Sequence, residues 1–343
     1  MKTVYSPAHA AHAPRHEISD GTLKPAVETP QRAEIVLSAV QAAGLGPIVA
    51  PDPIERAFLE TVHDPAYVAF LETMWAQHRA LGRAEEEAFP FVWPTPGLRS
   101  DRAPIHLDGR LGFYSFDAGT PLTAGTFDAA LSSASTAVSG AALLSAGERA
   151  AFALCRPPGH HAMRARYGGY CFFNNAALAA ERLVADGRRV AILDLDYHHG
   201  NGTQEIFWER GDVLFVSIHA DPAEEYPYFL GHADEIGAGH GEGATFNLPL
   251  AVGADWETWS HALELALATI ERAGPDALVV SLGLDPFEGD PISRFKLKTY
   301  DFSRLGTRLS KLGLPVLFVL EGGYAVDALG ENCAAVLTGF EAG

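Results

Sequence analysis

From about residue 126 onward, short unbroken apolar runs alternate with longer stretches whose apolar positions recur at helical spacing. The runs are AFALC (151–155), RVAILDLD (189–196), VLFVSIHA (213–220), ALVVSLGLD (277–285) and PVLFVLEGG (315–323). Helical patterns lie between them at 126–147, 175–187, 203–210, 256–274 and 301–313, and a last one starts near Val326. Continuous apolar runs belong to strands buried on both faces, and strands alternating with amphipathic helices make a parallel sheet covered on either side. Such a sheet is either open and doubly wound or closed into a barrel. A strand at Thr3–Tyr5 and a helix at about 31–43 add elements at an edge, which favours the open form. The expected fold class is therefore α/β: an open, doubly wound, mainly parallel sheet with helices on both faces, in three layers. No linker, repeat or low-complexity tract interrupts residues 1–343, so one domain is expected. The stretch from about 77 to 125 breaks the pattern, being irregular and rich in proline and aromatic residues. An excursion of that length in a compact protein is functional or an interface.

Polar residues cluster just after the apolar runs. RPPGHH follows AFALC, DYHHGNG follows VAILDL, HADP follows VLFVSI, DPFEGDP follows VVSLGL, and EGGY follows PVLFVL. Ligands bind at the carboxyl ends of strands in open parallel sheets, so five strands aim His, Asp and Tyr at one edge. In DLDYHHG, Asp194, Asp196 and His198 are spaced i, i+2, i+4 and share a face while the chain stays extended. Asp196 and His198 can then hold one metal together, and Asp285 completes the set. Two carboxylates and one imidazole suit Zn²⁺, and also Fe²⁺ or Co²⁺. Asp194 is either a further ligand or a partner of a neighbouring group. His160 and His161 are placed to act as general acid and base on a metal-activated water, and Tyr324 to steady an oxyanion. Gly169 permits a close backbone approach to a ligand.

The formal charge of −18 argues against nucleic acid or an anionic membrane as partner and tolerates cationic small molecules. No apolar run reaches membrane-spanning length and no signal segment opens the chain, so a cytoplasmic protein is expected. Cys155, Cys171 and Cys333 show no CxxC spacing and read as reduced, buried thiols. GAGHGEG (237–243) reads as a flexible turn rather than a phosphate loop.

At these residues the chain resembles the zinc-dependent histone deacetylase family, with its arginase–deacetylase fold, over about 30–340. RPPGHHA is Arg156–Ala162, GYCFFNN is Gly169–Asn175, DLDYHHGNG is Asp194–Gly202, GLD is Gly283–Asp285 and EGGY is Glu321–Tyr324. Within the family it looks most like the bacterial acetylpolyamine amidohydrolases. The resemblance implies Zn²⁺ on Asp196, His198 and Asp285, and Tyr324 as oxyanion donor. It implies His161 as general base and acid beside Asn201, where many eukaryotic members carry Asp, and His160 as a neighbour paired to Asp194. Tyr170 and Tyr226 would line a narrow tunnel. A structural K⁺ or Na⁺ would lie beside Asp194, Asp196, His198, Ser217 and Ile218, and a second by Phe207, Arg210 and Val213. The 77–125 insertion would narrow the tunnel entrance and form a homodimer. Acidic residues there would meet the ammonium of a small acetylated amine, with Asp108 at one such position. Gly119 stands at another, with Asp117 nearby. The arginase relatives need further carboxylates where this chain has Gly200 and Phe287, which argues against a two-metal site. A metal-binding but inert relative would lack Tyr324 or His161, and both are present. A protein-lysine deacetylase of broader specificity is the alternative activity.

Overall fold

The computed structural model describes all residues from Met1 to Gly343. In chain order the elements are β1 (Lys2–Val4), β2 (His16–Ser19), β3 (Thr22–Pro25), α1 (Gln31–Ala42), β4 (Ile48–Val49), α2 (Arg56–Val62) and α3 (Pro65–Ala80). There follow α4 (Leu107–Phe113), α5 (Thr126–Ser145), β5 (Ala150–Ala153), α6 (Asn175–Ala185), β6 (Val190–Asp194), α7 (Asn201–Phe207) and β7 (Val213–Ala220). The last are β8 (Thr245–Leu250), α8 (Trp256–Ala273), β9 (Ala277–Leu282), α9 (Thr299–Ser310), β10 (Val316–Leu320) and α10 (Val326–Ala342).

Eight strands form one sheet in the order β4-β1-β5-β10-β9-β6-β7-β8, with every neighbouring pair parallel. Its edges β4 and β8 do not meet, so the sheet is open and not a barrel. Alternate residues on each strand enter different cores, as the two-residue period of a strand requires. Ala151, Ile192, Phe215, Val279 and Leu317 pack with residues of α3, α5 and α6 on one face. Phe152, Leu193, Val216, Val280 and Phe318 pack with α1, α8, α9 and α10 on the other. Each such fully buried Val, Leu, Ile or Phe side chain contributes about 1.5–3 kcal/mol. The small residues of α5 let it lie close: a Cβ at Gly140 would overlap the Leu317 side chain.

Three features depart from the sequence pattern. β8 was not expected, because TFNLPL alternates apolar and polar positions and carries Pro249, features of an edge strand. The residues before it (237–243) form a turn with one short helical segment, Gly239–Gly241, and lead into that strand. β2 and β3 make a separate antiparallel hairpin with Asp20 and Gly21 at its tip, both in the left-handed region (φ 53° and 70°). The 77–125 stretch is less irregular than expected, since it holds the end of α3 and all of α4. The His106 side chain caps α4 by accepting from the Asp108 N–H at 3.2 Å.

Candidate metal and catalytic site

The five motif-bearing strands β5, β10, β9, β6 and β7 are contiguous in the sheet, so their carboxyl ends meet. His198 Nδ1 lies 3.2 Å from Asp196 Oδ1 and 3.1 Å from Asp285 Oδ2. All three residues are buried and their donor atoms lie within 4.8 Å of one another. Backbone N–H groups fix the carboxylates: Gly322 donates to Asp196 at 2.9 Å, and Tyr197 donates to Asp285 at 2.9 Å. A Cβ at Gly283 would overlap the Asp196 carboxylate, so the strand end must stay bare there. Burial and the adjacent Asp196 carboxylate push Asp285 above the usual carboxylate range. Burial alone would lower His198, yet the two carboxylates outweigh it and hold it near 10. Two carboxylates and one imidazole this close, in a dry setting, fit a divalent cation that leaves coordination positions open.

His160 and His161 project from the loop after β5 with ring centroids 4.0 Å apart. Their Nδ1 partners differ, as expected: Asp194 Oδ2 at 3.0 Å for His160 and Asn201 Oδ1 at 2.6 Å for His161. Asp194 thus serves His160 and stands outside the three-residue cluster. Burial disfavours the His160 cation, but the Asp194 and Asp196 carboxylates overcome it and raise the imidazole to about 10. Burial drives His161 well below the usual histidine range, and the neighbouring His160 and His198 add to this. Adjacent imidazoles are thereby split into a cationic and a neutral member. With its Nδ1–H donated to Asn201, His161 keeps a free lone pair on Nε2.

Two buried residues that the sequence did not single out support these loops. Glu321 Oε2 accepts from the N–H groups of Gly159 (2.6 Å) and His160 (3.1 Å). Arg32 donates to the carbonyls of Glu321 (2.6 Å) and Gly323 (2.7 Å), and its guanidinium stacks 4.7 Å above the Tyr324 ring. Burial holds the Tyr324 phenol well above its ordinary value, so it stays a donor, with Arg32 pulling the other way.

A cavity of about 410 Å³ reaches these groups; His160, His161, Asp196, His198 and Tyr324 line its floor. The expected Gly169, Tyr170, Tyr226 and Asp117 line its walls. Glu17 and Asp20 of the β2–β3 hairpin, together with Glu225, line it too and were not anticipated. No lysine or arginine does. The structure does not bring Asp108 to this cavity: at the start of α4 its carboxylate meets Arg83 at 2.6 Å. Among the expected monovalent-cation residues, Asp194 and Ser217 are direct partners across β6 and β7, with Ile218 next on β7. Ser217 Oγ lies 2.8 Å from His219 Nδ1. Phe207, Arg210 and Val213 sit apart, in the connection from α7 to β7, where Arg210 N–H donates to the Phe207 carbonyl at 2.9 Å.

Residues 26–340 match the histone deacetylase domain. The chain is 54% identical over 342 residues to acetylpolyamine amidohydrolase 2 of Pseudomonas aeruginosa, covering 99% of each. It is 48% identical over 343 residues to the acetylpolyamine amidohydrolase of Mycoplana ramosa, again covering 99% of each. The crystal structure of the acetylpolyamine aminohydrolase from Burkholderia pseudomallei superposes with a TM-score of 0.94 at 40% identity, covering 100% of this chain and 99% of that one. Fold, motif spacing and sequence agree: the chain is similar to acetylpolyamine amidohydrolases, and it belongs to the histone deacetylase family, with the arginase–deacetylase fold.

Proposed function

We propose that this protein is a zinc-dependent amidohydrolase that removes acetyl groups from small cationic amines such as acetylpolyamines. The observation that carries the reading is the buried Asp196–His198–Asp285 cluster beside His161, at a cavity that Glu17, Asp20, Asp117 and Glu225 also line and that no lysine or arginine lines. Asp196, His198 and Asp285 would hold Zn²⁺, or Fe²⁺ or Co²⁺ in its place. The ion would supply Lewis acidity, polarising the acyl carbonyl and easing deprotonation of the attacking water.

The chain's own residues supply the rest. His161 Nε2, kept neutral, takes the proton from water and passes it to the leaving amine. His160, kept cationic through Asp194, adds positive potential beside the carbonyl, where negative charge develops. Tyr324 donates its phenolic hydrogen to that oxygen. Tyr170 and Tyr226 would seat an alkyl chain, and of the acids lining the cavity Glu17 and Asp117 carry no ion pair and would favour an ammonium, whereas Asp20 and Glu225 pair with Lys24 and Arg294. A monovalent cation beside Asp194 and Ser217, and another by Phe207–Val213, complete the proposal. So does a homodimer through the insertion, supported by Phe91, Leu98 and Ile105, which are 67%, 61% and 93% exposed. Three free, buried cysteines accord with a reducing, cytoplasmic setting, and no helix is long and apolar enough to cross a membrane.

Acetate release from acetylputrescine, followed through chelation and then reconstitution with Zn²⁺, tests this reading. Loss and recovery of turnover are expected. Turnover that survives complete removal of the metal would overturn it.

A further inference from the structure

We infer that Asp117 is a positioning residue: it ties the end of the 77–125 insertion to both aromatic walls of the cavity and so fixes the groups around the reacting carbonyl. The inference rests on the deacetylase reading above. Asp117 Oδ2 accepts from Gly169 N–H at 2.6 Å and from Tyr226 O–H at 2.8 Å. Thr120 donates its N–H to Oδ1 (3.2 Å) and its O–H to Oδ2 (3.3 Å). The Thr120 hydroxyl oxygen then accepts from Tyr170 N–H at 3.0 Å.

Gly169 and Tyr170 are consecutive residues in the left-handed region, at φ 54° and 65°. Two such residues turn their N–H groups into one concavity suited to an anion. Asp117 and Thr120 fill it. For tyrosine this backbone conformation is unfavourable and persists only where its surroundings enforce it. The two hydrogen bonds from the insertion provide that enforcement.

Each wall held in this way touches a catalytic group. The Gly169 backbone lies so close to the His161 ring that a Cβ would overlap it. The Tyr170 ring meets Tyr324 edge-on, with centroids 5.6 Å apart and planes at 64°. The Tyr226 ring stands at 88° to His161 with centroids 5.1 Å apart. One carboxylate therefore governs contacts to both the base and the oxyanion donor. Three donors, Gly169 N–H, Tyr226 O–H and Thr120 O–H, converge on Oδ2, while Oδ1 accepts from Thr120 N–H alone. This positioning role is distinct from the amine contact expected from sequence, and kinetics separate the two.

The test is steady-state kinetics of Asp117→Asn on acetylputrescine, acetylcadaverine and acetylspermidine, with metal content and thermal unfolding measured on the same samples. Displacing a catalytic group by about 1 Å costs on the order of 10²-fold, and partial loosening should lower kcat roughly tenfold. The same factor is expected on all three amines, because the reacting carbonyl is common to them, with KM nearly unchanged. Tyr226→Phe, which keeps the ring and removes one donor, should give a smaller loss of the same kind, and it serves if the first variant fails to fold. A rise in KM with kcat retained, or a factor that varies with the ammonium position, would make Asp117 an amine contact and overturn the inference. Unchanged kinetics in both variants would also overturn it. Wild-type protein inactive on all three amines would instead sink the deacetylase reading itself.

Discussion

Replacing Glu321 by alanine strips the only acceptor from two buried N–H groups, those of Gly159 and His160, in the loop that carries His160 and His161. A buried donor left unpaired costs about 1–3 kcal/mol, so the two together cost about 2–6 kcal/mol. At roughly 2 °C per kcal/mol for a chain of this size, the melting temperature should fall by about 4–12 °C. Turnover should fall further than stability suggests, on the order of 10²-fold, because the loop sets the position of His161. Glu321→Gln is the informative partner. Its amide oxygen still accepts from both N–H groups, and its NH₂ faces Ser281 Oγ, which lies 3.3 Å from the present Oε1. Gln should therefore keep most of the activity. It should also change how stability depends on pH. Burial pushes Glu321 up from 4.5 to about 7, against the opposing pull of His160 and the Gly159 N–H. Between those values the unfolded chain has released its proton and the folded chain has not, so ionisation favours unfolding and stability declines as pH rises. The decline amounts to about 3 kcal/mol over that window. Gln has no proton to lose, so its melting temperature relative to wild type should climb from pH 5 to pH 8. Thermal unfolding of the three proteins across that range, with acetylputrescine kinetics alongside, is the assay. A Gln variant as damaged as the Ala variant, or one with a flat difference across pH, would refute the reasoning.

His161→Ala should retain bound metal and lose on the order of 10²–10⁴-fold in kcat, since it deletes the proposed base without touching a proposed ligand; metal analysis beside kinetics checks both halves. Tyr324→Phe keeps the ring that Arg32 and Tyr170 pack against and should lower kcat by on the order of 10²–10³-fold with little change in KM. Asn201→Asp places a carboxylate on His161 Nδ1, which favours the imidazolium. The acid limb of the kcat/KM profile should then move up by about 1–3 pH units, and an unmoved limb would show that His161 is not the base.

The legible parts of this protein were those that repeat a local rule. Unbroken apolar runs gave β5, β6, β7, β9 and β10 because these strands are covered on both faces. Polar residues placed just beyond them converge because their strands are neighbours in the sheet. Asp196 and His198 do meet, but not through an extended strand: β6 ends at Asp194, residues 196–198 bend, and Asp194 turns to His160. Arg32 was not legible: its partners Glu321 and Gly323 lie 289 and 291 residues away, and no local pattern links them. Glu321 hid inside a glycine-rich strand end, its significance arising only when the Gly159–His160 backbone folds onto it. The hairpin β2–β3 was missed because half-exposed strands of mixed polarity carry little periodicity. Asp108 and Asp117 looked alike in sequence, two acids in one long excursion. Only the path of that segment separates them, sending Asp108 to Arg83 and Asp117 to the cavity wall.

The most direct measurement for the central claim compares acetylputrescine, acetylcadaverine and acetylspermidine with an acetyl-lysine peptide, using one preparation reconstituted with Zn²⁺. A strong preference in kcat/KM for the small cationic amides is predicted, since Tyr170, Tyr226 and the carboxylates of Glu17, Asp20, Asp117 and Glu225 line the cavity and no lysine or arginine does. Preference for the peptide would contradict the account and place this chain among the protein-lysine deacetylases.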